Sequence, residues 1–152
     1  MNGEASPLIV GAMHRISLLA VISAFLVEIV VDEIRSYVQL ILFAIGSITP
    51  GMSEAESQKV LVAITESASY MTWLVVLGTA TTIGGGYLAA RIAKTFPYYN
   101  GLAIGLVGLA FGLYMWRLNP LWLNVFSVIT VIPASIYGAH LAKPHIIPPT
   151  DT

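Results

Sequence analysis

The sequence predicts an all-α membrane protein: four transmembrane helices in an antiparallel bundle, with an amphipathic segment between the first and the second. Three observations carry this expectation. The 152 residues are 57% hydrophobic and only 10% charged, with a mean hydropathy of +0.82, where soluble domains carry about a quarter charged residues. A chain this short leaves much of its surface wet, so a large core cannot absorb the deficit and lipid has to cover part of it. Apolar stretches at 70–90, 98–116 and 121–141 each match the roughly 20 residues needed to cross a hydrocarbon layer of about 30 Å. Aromatic and basic side chains stand at the ends of these stretches, as interfacial anchors do.

Residues 1–152 read as a single four-helix domain, with helices at about 14–35, 70–92, 98–116 and 121–142 and an interfacial or extramembrane segment at about 36–69. Residues 1–12 contain Gly3, Pro7 and Gly11 and read as a short tail, too polar and proline-broken for a cleaved signal peptide. The first apolar run, 16–31, is short for a crossing, so it either continues as one long helix past Asp32 and Glu33 or is followed by a separate interfacial helix over 37–48. Thr49, Pro50 and Gly51 signal a turn. Ser53 with Glu56 three residues on matches a capping box, and Val60, Leu61, Ile64 and Ala68 then fall on one face of an amphipathic helix.

The second span has Tyr70 and Trp73 at one end and Arg91 and Lys94 at the other. The third follows a short loop, and the fourth begins after the turn at Arg117, Leu118, Asn119 and Pro120. Four crossings place Arg15, Arg91, Lys94 and Lys143 on one side and Arg35, Lys59 and Arg117 on the other. By the positive-inside rule the first side is cytoplasmic and both termini lie inside.

Composition closes off several function classes. A net charge of −1 offers no basic field for nucleic acid. The absence of cysteine excludes disulfides, thiolate chemistry and cysteine-held metals. No nucleophile–base–acid set is present, so no enzyme activity and no cofactor are expected. His14, His140 and His145 fall on the basic side without carboxylates at ligand spacing, and read as interfacial.

Two constellations remain. Gly101, Gly105, Gly108 and Gly112 share one face of the third span, and Gly78, Thr82, Gly85, Ala89 and Ala93 make a comparable stripe on the second. Small residues let helix backbones approach closely in lipid, so the stripes predict packing of the second span on the third; self-association through the third span and a glycine-lined passage are the other readings. Gly84-Gly85-Gly86 is not a phosphate cradle, because no strand precedes it and no Gly-Lys-Ser/Thr follows. The other constellation is Glu28, Asp32 and Arg35, spaced for an ion pair along one helix. An intramembrane carboxylate is costly and marks an ion or proton site; the competing reading is an acid paired at the interface. In the fourth span, Asn124, Ser127, Ser135 and Gly138 share a face, Asn124 is expected to bond a neighbouring helix, and Pro133 marks a kink.

The stretch Gly85-Gly86-Tyr87-Leu88-Ala89-Ala90-Arg91-Ile92-Ala93, with Gly101 and Gly105 beyond a short loop, resembles the turn between the second and third helices of small, uncharacterised four-helix bacterial inner-membrane proteins. The resemblance covers about a quarter of the chain and implies an inner-membrane location but no activity. Ala24-Phe25-Leu26-Val27-Glu28 is similar to the first helix of small multidrug-resistance exporters, which implies a coupling role for Glu28, although this chain is longer and carries an added acidic stretch. The sequence thus leads to an integral structural or interaction protein in contact with the lipid bilayer, partnered by itself or by another membrane subunit. A small proton- or cation-coupled transporter using Glu28 is the alternative.

Overall fold

A computed structural model describes residues 15–118 and 120–143. The described residues form five α-helices: α1 (Leu18–Ala44), α2 (Glu54–Thr65), α3 (Ala68–Ala93), α4 (Pro97–Tyr114) and α5 (Leu121–Ala142), with a 3-10 turn at Trp116–Leu118 before α5. Serine side chains open the first three. Ser17, Ser53 and Ser67 accept from the backbone N–H groups of Ala20, Glu56 and Tyr70, satisfying donors that a helix N-terminus leaves without partners. The capping box at Ser53 is present in full: Glu56 Oε2 accepts from the Ser53 backbone N–H at 2.8 Å and from its hydroxyl at 2.7 Å.

The first helix departs from its expected bounds of 14–35. It runs unbroken through Asp32, Glu33 and Arg35 to Ala44, so residues 37–44 are its continuation and not a separate interfacial helix. The polar residues hold the helix together. Arg35 Nε donates to Asp32 Oδ1 at 3.0 Å and Arg35 Nη1 to Gln39 Oε1 at 3.2 Å. The buried Gln39 in turn donates to the Tyr70 carbonyl at 2.9 Å, and Phe43 meets the Tyr70 ring edge-on at 5.5 Å. This chain of contacts fastens the second half of α1 to the start of α3.

Helices α3 and α5 are long and apolar enough to cross a membrane. Helix α1 carries Glu28, Asp32, Glu33 and Arg35, and α4 opens on Pro97, Tyr98, Tyr99 and Asn100; the span criterion of length and composition is not met by either.

Helix α3 is central, packing most extensively on α5, then on α1 and α4, while α4 packs chiefly on α5. The interior is made of small side chains. Val21, Ala24, Ala89 and Ile104 join α1, α3 and α4, and Ala90, Ala139 and Ala142 join α3 to α5.

Glycines set the closest approaches, and the tightest of these are made with α5, although α3 and α4 also pack on each other through Ala89 and Ile104. A Cβ at Gly86 would strike the backbone carbonyl of Ser135, and one at Gly138 would strike the carbonyl of Ile83, so α3 and α5 cross backbone to backbone. On α4, Gly101 and Gly105 face Ala139 and Ser135 of α5, not α3. This preference for α5 has a physical cause: a glycine stripe admits any neighbour of matching relief, and α5 brings Ser135, Gly138 and Ala139 to meet it.

The tight contacts gather where α1 and α4 begin and α3 and α5 end. The buried Asn100 closes this end, accepting from the Ser17 N–H at 2.8 Å and donating to the carbonyls of Thr95 and Phe96 at 3.1 Å. Lys94 and Phe96 both take the left-handed conformation (φ 59° and 47°), which reverses the chain between α3 and α4 in three residues. Toward the other end, Gly78 and Gly112 have no neighbour within 4 Å of a built Cβ, and the helices part.

Candidate cation site in the bundle

Where the helices part they leave an open cavity of about 380 Å³ lined by α1, α3, α4 and α5. Helical periodicity on α1 brings Glu28 and Asp32, one turn apart, to its wall. Helix α3 contributes Thr79 and Thr82, and α5 contributes Ser127 and Thr130. Apolar surface comes from Phe25 and Phe111, whose rings meet edge-on at 5.8 Å, and from Phe126.

The polar lining has a definite chemical sense. Thr79 donates its hydroxyl proton to the Val75 carbonyl at 2.8 Å, Thr82 to Gly78 at 3.1 Å and Thr130 to Phe126 at 2.8 Å. With their protons engaged by their own helices, the Thr79 and Thr130 oxygens are left as acceptors, while the Thr82 hydroxyl also has Glu28 within reach as an alternative acceptor. Together with the carboxylates of Glu28, Asp32 and Glu33 these oxygens make a wall rich in acceptors. The guanidinium at the cavity, Arg35, is committed to Asp32 and Gln39.

Glu28 itself is partly buried and sits against α3. A Cβ at Gly85 would lie 2.5 Å from Glu28 Oε2 and 2.9 Å from its Cδ, so the missing side chain makes the notch that receives the carboxylate. Thr82 stands within hydrogen-bonding reach of it. Of the candidate ion-site residues, Glu28, Asp32 and Arg35 all line one cavity, but the ion pair joins Arg35 to Asp32 and leaves Glu28 to α3.

The glycine candidates divide. Gly85, Gly101 and Gly105 lie in the tight seams with Ala89, which is fully buried, whereas Gly78, Gly108 and Gly112 line the cavity. No family model, curated protein or solved structure matches the chain.

Several contributors escape a reading by motif. Thr79 and Thr130 became visible only when α3 and α5 met across the cavity, although Thr79 sits one residue from the Gly78 stripe. Gly86 and Gly138 form the α3–α5 crossing; their signal was the run of three glycines at 84–86. Asn124 donates to the Trp116 carbonyl at 2.8 Å, in the 3-10 turn between α4 and α5. His140 meets the Tyr98 hydroxyl at 2.8 Å, while His14 and His145 lie outside the described residues.

Proposed function

We propose that the protein is a small multi-span membrane protein that binds a cation in this cavity, with Glu28 as the coupling carboxylate of a proton- or cation-coupled transporter. The acceptor-rich wall around Glu28 carries the proposal: carboxylate and hydroxyl oxygens facing an open volume suit a cation and disfavour an anion.

The surface supports the membrane setting. Leu18, Leu19, Leu26, Ile34 and Ile41 of α1 and Leu121 and Ile129 of α5 are exposed, while alanine dominates the interior. Water-soluble proteins bury large aliphatic side chains and avoid contiguous apolar patches; lipid-embedded bundles place small residues at the seams instead. In a bacterial inner membrane, four crossings by α1, α3, α4 and α5 would set both termini and the cations Arg15, Arg91, Lys94 and Lys143 on the cytoplasmic side. Glu28 is ten residues from the start of α1, or about 15 Å, near the middle of a hydrocarbon layer of about 30 Å.

A role confined to assembly, with itself or another membrane subunit, has less support. Of the four glycines that favoured it, Gly101 and Gly105 are covered by α5 of the same chain, and Gly108 and Gly112 line the cavity. The deciding measurement is proton flux into proteoliposomes carrying a trapped pH-sensitive dye, driven by a potassium diffusion potential. Flux above empty vesicles, lost in Glu28→Gln, is expected. Equal flux in that variant and the native chain would remove Glu28 from the mechanism.

A further inference from the structure

Charge is divided along the bundle. The six described carboxylates, Glu28, Asp32, Glu33, Glu54, Glu56 and Glu66, all lie between residues 28 and 66. Arg15, Arg91, Lys94 and Lys143 gather at the opposite, tight end, and the described ion pair, Arg35 with Asp32, belongs to the acidic side. Among the described residues the basic end therefore holds no counter-charge.

Three of these cations, Arg15, Arg91 and Lys143, are also seated. The Arg15 guanidinium lies 5.3 Å from the Phe96 ring centroid and 5.5 Å from that of Tyr99, and donates to the Tyr99 hydroxyl at 3.2 Å. Arg91 donates to the Tyr87 hydroxyl at 2.6 Å. Lys143 stands 6.0 Å over the Tyr98 ring, which stacks on His140. Aromatic faces hold the side chains without cancelling their charge, so less rotamer freedom is lost when an anion arrives. The left-handed Lys94 and Phe96 fold the α3–α4 turn so that Arg15 flanks it on the Phe96 and Tyr99 side and Lys143 on the Tyr98 side.

We propose that this aromatic-seated ring of cations is a headgroup site for anionic phospholipid, taking the lipid phosphate between Arg15 and Lys143 at the α3–α4 turn. The proposal rests on the membrane setting and is independent of the Glu28 cavity. Guanidinium and ammonium groups beside interfacial aromatics match a phosphodiester at the depth where lipid headgroups lie. A bound headgroup would tie the start of α1 and the end of α5 to one turn.

The test is thermal unfolding of the full chain in detergent micelles doped with phosphatidylglycerol or with phosphatidylcholine. Ligand linkage raises the midpoint only where the folded state binds, and the anionic lipid is expected to raise it by about 5 °C, less so at high salt. Arg15→Gln with Lys143→Gln should lose most of that rise, whereas Lys59→Gln with Arg117→Gln, which removes as much charge from the other end, should keep it. Equal midpoints in the two lipids overturn the proposal, as does an equal loss in the second double variant, which would reveal general charge attraction. Inorganic phosphate alone is expected to leave the midpoint unmoved; if it reproduces the rise, a free anion is the ligand and the lipid assignment fails. Should the Arg15 and Lys143 variant not fold, native mass spectrometry of the unmodified chain decides by whether the retained lipids are preferentially anionic. Glu28→Gln should show the full lipid effect whatever its flux, which keeps the two proposals separable.

Discussion

Gly86 on α3 and Ser135 on α5 meet through backbone alone: the space a Cβ would need at Gly86 is filled by the Ser135 carbonyl. One helical turn up α5, Gly138 stands in the same relation to the Ile83 carbonyl, so the crossing is clamped from both sides. Backbone cannot swing aside, and an added methyl must push the helices apart. Gly86→Ala and Gly138→Ala are expected to cost about 1–3 kcal/mol each, the usual range for overpacking. Gly84→Ala, with no neighbour within 4 Å, should be neutral or stabilise by up to about 1 kcal/mol through helix propensity. Unfolding in mixed micelles ranks the three variants, and equal effects at Gly84 and Gly86 would contradict the crossing.

Gly85 predicts a different outcome from its neighbour. The atom that a Cβ would strike there is the end of the flexible Glu28 side chain. Gly85→Ala should therefore leave the fold nearly as stable as the native chain while displacing the carboxylate toward the cavity. Its signature is a shifted pH dependence of flux with little change in unfolding midpoint. A variant that unfolds like Gly86→Ala would show that the notch serves packing alone.

The polar chain from Asp32 through Arg35 and Gln39 to the Tyr70 carbonyl fastens α1 to α3. Gln39→Leu removes the connecting amide and should cost about 1–2 kcal/mol. Hydrogen exchange in α1 beyond Arg35 is the sensitive readout, because that half of the helix has few other ties. Protection there is expected to fall first, before any change near Ala20 and Ala24.

Asn100 holds the start of α1 against the α3–α4 turn through both ends of its amide. Asn100→Leu strands the Ser17 N–H and should cost about 1–3 kcal/mol. Asn100→Asp keeps an acceptor for Ser17 but loses the donors to Thr95 and Phe96. Limited proteolysis should cut near Arg15 more readily in the leucine variant than in the aspartate one; the reverse order would place the tie at the turn instead.

Outside the bundle, the Ser53 hydroxyl and backbone N–H hold the Glu56 carboxyl below its ordinary range. A carboxyl depressed in the folded state stabilises above its unfolded value of 4.5, and that contribution disappears as pH falls through the lower folded value. The Ser53 amide resonance should titrate with a midpoint below 4.5, and α2 should fray as it does. Glu56→Ala should abolish this titration.

Much of the architecture was legible because it depends on local chemistry. The capping box at Ser53 and Glu56 is specified within four residues, and it formed as its spacing implies. Apolar length marked α3 and α5 as spans. What the sequence could not convey was pairing. A small-residue face states that a backbone will come close, not whose, and α5 won the contact because Ser135, Gly138 and Ala139 lie in register with two glycine faces at once. The same reason hid half of the cavity: Glu28 declared itself as a carboxylate in an apolar run, but Thr79 and Thr130 on separate helices have no shared spacing. The continuous α1 was one of two readings that the short apolar run left open, and the bond between Asp32 and Arg35, spaced for one helix, formed within it.

The depth of Glu28 has an electrical consequence. A unit charge crossing a whole membrane exchanges about 2.3 kcal/mol per 100 mV. A cation that travels from the acidic mouth to Glu28, about 15 Å from the start of α1, passes through roughly half of that field. Its occupancy would then change by about 1.1 kcal/mol per 100 mV, a factor of roughly six to seven. On the proposed function the cavity would be a voltmeter as well as a binding site, the resting potential setting how full it is before any conformational step begins.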